Sequence, residues 1–145
     1  MIFNQLFDDK SSTYTYIISS GKGREALIID PVIEHTKKYI KILKDLELKL
    51  VKVIDTHIHA DHISGLNELN KQTECTRIMG EESESEVIDL RVKENEKVKI
   101  EGVELITLYT PGHTKCSYSY LMNDRVFTGS RYALNRYGAP VWDVA

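Results

Sequence analysis

The chain has 145 residues, enough for one domain with a real core. Apolar residues make up 41%, charged residues 28%, and the net charge is -3, which excludes the basic footprint of a nucleic-acid-binding domain. No apolar run is long enough to span a bilayer, and the acidic first nine residues lack the basic start and long apolar core of a signal peptide, so a cytoplasmic location is expected.

Residues 2–7 read as an edge strand, 8–12 as a turn, and 13–18, rich in β-branched and aromatic side chains, as a second strand. After a turn at 21–23, residues 25–30 form a third apolar strand stopped by Pro31, completing an antiparallel meander. A helix is predicted from about Glu34 to Leu48, with Tyr39, Ile40, Leu43 and Leu46 on one stripe and Lys37, Lys38, Lys41 and Lys44 as a solvated face. His35 reads as polar surface. Residues 50–54 are a buried strand, 62–71 a short helix with Ile63, Leu66 and Leu69 inward, and 76–79 a short strand. Residues 80–86 form a solvated acidic loop. Residues 98–100 and 103–109 make a hairpin turned at Glu101-Gly102, and 117–122 with 125–128 make a last one through Asn123-Asp124. This order of elements predicts an α+β fold, a sheet covered by helices on one face, in a single domain over 1–145.

The chemistry concentrates in Thr56-His57-Ile58-His59-Ala60-Asp61-His62, three imidazoles and a carboxylate in one short stretch. Imidazole is the commonest metal ligand and carboxylate a good partner for it. If the strand stays extended, His57 and His59 point the same way and Ile58 faces the core. Asp61 falls where the next helix starts, at an N-cap position. The pair His57 and His59 can then serve one metal, and Asp61 with His62 a neighbouring point; the competing reading is a chance cluster of surface histidines. His113 is fixed at a strand end by the turn Pro111-Gly112. The two cysteines, Cys75 and Cys116, are not expected to pair in a reducing compartment; Cys116, three residues after His113, reads as a packing residue, with a place near the metal as the alternative.

The stretch 56–62, the later Thr110-Pro111-Gly112-His113-Thr114 and Phe127-Thr128-Gly129 together resemble the metallo-β-lactamase superfamily. Leu6-Phe7-Asp8, residues 11–16 and residues 24–32 resemble its glutathione-persulfide dioxygenase branch, the ETHE-type sulfur dioxygenases. The resemblance runs over 1–129 and leaves 130–145 as a divergent tail. It implies an αββα sandwich, of which the chain would hold the N-terminal half and part of the second sheet, as a C-terminally truncated member. It implies one metal site at His57, His59 and His113 and a second including Asp61 and His62. In the dioxygenase branch, Fe2+ is held by the equivalents of His57 and His113 and an aspartate.

Ser130 stands where that aspartate is expected. A neutral hydroxyl is a poor ligand for a hard dication, so the resemblance leaves Zn2+ or Fe2+ as the expected cofactor, with zinc favoured in the three-histidine site. The implied reaction is oxidation of glutathione persulfide by O2 to sulfite and glutathione, with activity weak or lost through Ser130 and truncation. The alternatives are a zinc-dependent hydrolase of a thioester, lactam or phosphodiester, with Asp61 as catalytic base, and a non-catalytic metal-binding remnant. A half-covered sandwich is expected to hide its apolar face in a homodimer. A small thiol or persulfide is the expected substrate, with no nucleic acid and no membrane.

Overall fold

The strand-forming residues of the first thirty positions do build the meander. In the computed structural model, which describes residues 1–58, 64–111, 117–123, 125–128 and 134–135, β1 (Ile2–Asp8), β2 (Thr13–Ser19) and β3 (Glu25–Ile29) pair antiparallel. A 3-10 turn (Ile33–His35) and α1 (Thr36–Asp45) then cross over to β4 (Lys49–Ile54), which lies parallel to β3. A second crossover through α2 (Leu66–Thr73) leads to β5 (Thr76–Gly80), parallel to β4, and β6 (Leu90–Val92) adds at the edge. Parallel neighbours cannot be joined by a tight turn, and the two helices supply the required length. The first sheet therefore runs β1-β2-β3-β4-β5-β6.

The second sheet is antiparallel throughout and comprises β7 (Lys97–Ile100), β8 (Val103–Tyr109), β9 (Tyr118–Met122), β10 (Arg125–Phe127) and β11 (Leu134–Asn135). Its order is β11-β10-β9-β8-β7. Together the layers form the α+β, αββα-type sandwich expected from the sequence.

Alternation along the central strands divides the interior in two. Leu27 and Ile29 of β3 join Tyr16, Ile18, Ile54, Ile78, Leu105, Tyr120 and Phe127 between the sheets, whereas Ala26 and Ile28 face Tyr39, Leu43, Leu66 and Leu69 of the helices. A strand buried on both faces reads as an unbroken apolar run, as residues 26–29 do. The inner faces of the two sheets cover one another, so the uncovered inner face invoked for a homodimer is absent among the described residues. No helix of the described residues is long and apolar enough to cross a membrane.

Four local expectations change. The long helix is interrupted at its start by the 3-10 turn and ends at Asp45. The helix predicted over 62–71 is found as α2 from Leu66 with Gly65 as its N-cap, and Asp61, the expected N-cap, lies outside the described residues. Ile58 is 50% exposed rather than in the core, because β4 ends at Ile54 and strand alternation does not carry past it. His35 is not idle surface: its Nε2 lies 2.9 Å from Asp8 Oδ1.

That last contact closes the β1–β2 turn. Asp8 also accepts from the backbone N–H of Ser11 at 3.0 Å and from the Ser11 hydroxyl. The Ser11 hydroxyl first, and His35 second, hold the Asp8 carboxyl down at about 2, from an ordinary 3.8. Because the folded pKa lies below the unfolded one, the charged form is favoured in the native state. This contribution, about 2 kcal/mol, is complete above the unfolded pKa and is lost as pH falls from there through about 2. Urea unfolding between pH 5 and pH 2 should therefore show a steeper loss for wild type than for Asp8→Asn; identical slopes would contradict the assignment.

Candidate functional site

Parallel pairing in the registers Ile29↔Ile54 and Ile54↔Ile78 sets the carboxyl ends of β3, β4 and β5 side by side. Such strand ends are where open parallel sheets bind ligands. Asp30 follows β3, Asp55 to Ile58 follow β4, and Glu81 and Glu82 follow β5.

Asp30 is fully buried with a positive φ of 54°, a conformation that Asp tolerates better than most residues. Turned this way, its carboxylate meets Thr56. Oδ1 accepts from the Thr56 backbone N–H and Oδ2 from the Thr56 hydroxyl, each at 2.8 Å. Thr56 is itself fully buried, and its Oγ1 lies 2.9 Å from Nδ1 of His57, a residue only 8% exposed. The Asp30 carbonyl accepts from the Thr15 hydroxyl at 2.6 Å. With that proton spent, the Tyr39 hydroxyl donates to Thr15 Oγ1 at 3.1 Å and accepts from the Val32 N–H at 3.0 Å. Burial pushes the Tyr39 phenol up, which keeps this donor protonated.

The two residues after Asp30 hold the chain again beyond the histidine stretch. Gly65 donates its N–H to the Pro31 carbonyl at 2.8 Å, and Ser64 forms an isolated bridge with Val32. Residues 30–32 thus grip both Thr56 and Ser64-Gly65.

The second sheet reaches the same edge. Tyr118 donates its N–H to the Thr56 carbonyl at 2.8 Å, and Thr110 donates to the Ser117 carbonyl at 3.0 Å, closing the base of the segment between them. The Tyr118 ring lies against Gly80 at the end of β5, and its hydroxyl donates to Glu82 at 2.5 and 2.8 Å. Burial first, and the hydrogen bond to Glu82 second, push the Tyr118 phenol up. The loop after β5, expected to be solvated, therefore carries one of the links between the sheets.

Of the sequence-predicted site residues, His57 is placed at this edge. His59, Asp61, His62 and His113 lie outside the described residues, as do Cys116 and Ser130. The expected Zn2+ or Fe2+ cofactor is corrected: among the described residues no group of three or more His, Cys, Asp or Glu side chains could hold a metal ion. Both Asp30 oxygens are turned to Thr56, and His57 Nδ1 lies beside the Thr56 hydroxyl. The residues that sequence reasoning left without a part here are Asp30, Glu82 and Tyr118. Asp30 carried a signal, an acid between an apolar strand and a proline. Glu82 carried none, since its partner is 36 residues away.

Residues 8–130 match the model of the metallo-beta-lactamase superfamily. The chain is 35% identical over 136 residues to the mitochondrial persulfide dioxygenase ETHE1 of Mus musculus, covering 89% of this chain and 52% of that protein. It is 37% identical over 78 residues to a hydroxyacylglutathione hydrolase of Rhodopseudomonas palustris, covering 52% of this chain and 31% of the other. The crystal structure of ETHE1 from Myxococcus xanthus superposes with a TM-score of 0.85 at 41% identity, over 88% of this chain and 56% of that one. The chain thus spans about half the length of the persulfide dioxygenases it resembles. With the two-sheet sandwich and the match over 8–130 in hand, the chain belongs to the metallo-beta-lactamase superfamily.

Proposed function

We propose that the chain carries the first part of a persulfide-oxidising site of the ETHE1 type, acting on a small persulfide such as glutathione persulfide. The observation that carries this reading is the double grip of residues 30–32 on Thr56 and on Ser64-Gly65, with Tyr118 bound to the Thr56 carbonyl. That grip fixes the chain on either side of the histidine-rich stretch, at Thr56 and at Ser64-Gly65, and Thr110 with Ser117 flanks the second histidine-bearing segment at the same edge. Similarity to persulfide dioxygenases over 89% of the chain supports the chemistry. The proposed site residues are His57, His59, Asp61, His62 and His113, with Asp61 as proton acceptor. Superfamily membership suggests metal dependence in general.

In the proposed reaction glutathione persulfide, O2 and water give glutathione and sulfite. The buried edge at Thr56 keeps water from the Nδ1 side of His57, which orients the ring. Ser130, in place of an acid, is expected to make turnover slow. The test is oxygen uptake on addition of glutathione persulfide. Wild type should consume O2 above the blank and His57→Gln should not; uptake unchanged in His57→Gln would remove that residue from the site.

A second reading, thioester hydrolysis, is favoured by the 37% identity to a hydroxyacylglutathione hydrolase over 78 residues. Asp61 would then activate the attacking water. The homodimer remains a proposal, through a different surface from the one first expected. Ile106, Leu121 and Val126 face one another across three adjacent strands, are half-buried and belong to neither core cluster. Light scattering should return a dimer mass that Leu121→Lys lowers to a monomer; a wild-type monomer at every concentration would contradict it.

A further inference from the structure

A hydroxyl has one proton to give. The Thr56 hydroxyl donates to Asp30 Oδ2 at 2.8 Å, and Asp30, as a carboxylate, only accepts. The contact between Thr56 Oγ1 and His57 Nδ1 at 2.9 Å therefore needs its proton from the ring. Thr56 is fully buried and His57 nearly so, which leaves bulk water little room to supply the bond instead. The Thr56 N–H on Oδ1 fixes the carboxylate so that its second oxygen stays aimed at the hydroxyl.

We infer that Asp30, acting through Thr56, locks His57 in the Nδ1–H tautomer and so commits the lone pair of the neutral ring to Nε2. Asp30 and Thr56 are positioning residues. They select which ring nitrogen meets a reactant or ligand, and they do so from behind the ring. Free histidine prefers the opposite tautomer, Nε2–H, so the local structure works against an intrinsic bias. The relevance of this to chemistry rests on the reading of His57 as a site residue; the tautomer itself does not.

Residue 30 offers a way to reverse the chain of donors. Asn has nearly the shape of Asp and also tolerates positive φ. In Asp30→Asn, the Oδ1 of Asn must still accept the Thr56 N–H, which turns the amide NH2 toward Thr56 Oγ1. The hydroxyl then accepts from the amide and passes its own proton to His57 Nδ1. One isosteric substitution should therefore move the ring proton from Nδ1 to Nε2.

The experiment is long-range 1H–15N correlation NMR of the full chain with 15N-labelled histidine. The His57 signals are assigned by their loss in His57→Gln. Wild type should show Nδ1 as the protonated nitrogen and Nε2 as the bare one. Thr56→Ser, which keeps the hydroxyl, should preserve that pattern. Thr56→Val should return the ring to the Nε2–H preference of free histidine, and Asp30→Asn should invert the pattern outright. A wild-type Nε2–H spectrum overturns the inference, as does a wild-type pattern retained in both Thr56→Val and Asp30→Asn. Oxygen uptake separates this from the functional reading: if His57→Gln keeps full uptake while the wild-type ring is Nδ1–H, only the functional reading fails.

Discussion

Gly80→Ala is expected to cost the fold about 3 kcal/mol, near the upper end of what overpacking a core costs. A methyl at residue 80 would sit on Cδ2 and Cε2 of Tyr118, with Cγ at 3.1 Å. Flexible neighbours relieve such overlaps cheaply, but this ring is 1% exposed and held at both ends. Its hydroxyl is bound to Glu82 and its backbone N–H to the Thr56 carbonyl. It also packs against Tyr109, with ring centroids 5.0 Å apart. The methyl can be seated only by parting the sheets at the edge that carries His57. Chemical denaturation should show a large fall in midpoint, and the same substitution in a Tyr118→Ala background should cost far less, because the obstacle has gone. An unchanged midpoint, or equal costs in the two backgrounds, would mean that the close approach of Gly80 and Tyr118 is not what joins the sheets there.

Asp30→Ala is the second large effect, expected to be roughly 4 kcal/mol. Two donors of a fully buried Thr56 lose their acceptor, at about 1–3 kcal/mol for each buried group left unsatisfied. Alanine also resists the φ of 54° at this position, adding about 1 kcal/mol. Asp30→Asn should cost much less, since Asn keeps one acceptor and the turn. The diagnostic observation is hydrogen exchange at the Thr56 amide, slow in wild type and fast in Asp30→Ala. Slow exchange in the alanine variant would show that something other than Asp30 holds the start of the histidine stretch.

The sandwich was legible in the sequence because its strands carry their own signals. Residues 13–19 are dense in Thr, Tyr and Ile, and the hairpins at Glu101-Gly102 and Asn123-Asp124 stand between apolar runs. The edge strand Leu90–Val92 was not legible: three residues with one buried side chain make no pattern. Ile58 was misplaced because alternation was extended past Ile54, where the strand had already ended. The links of His35 with Asp8, at the β1–β2 turn, and of Glu82 with Tyr118, at the site edge, join polar residues far apart in the chain. Polar groups become partners only after apolar burial has set the layers, and periodicity carries no trace of them. The histidine stretch itself was plain in the sequence. What holds it was not, because Asp30 and Thr56 are an ordinary acid and an ordinary alcohol until a positive φ turns one toward the other.

The central claim is that this braced sheet edge serves persulfide oxidation. The most direct measurement presents the same preparation with glutathione persulfide and, separately, with an S-acylglutathione thioester, following O2, sulfite and free thiol together. The account predicts O2 uptake matched by sulfite with the persulfide and little thiol released from the thioester. Thioester hydrolysis without persulfide-dependent O2 uptake would contradict it and pass the site to the hydrolytic reading.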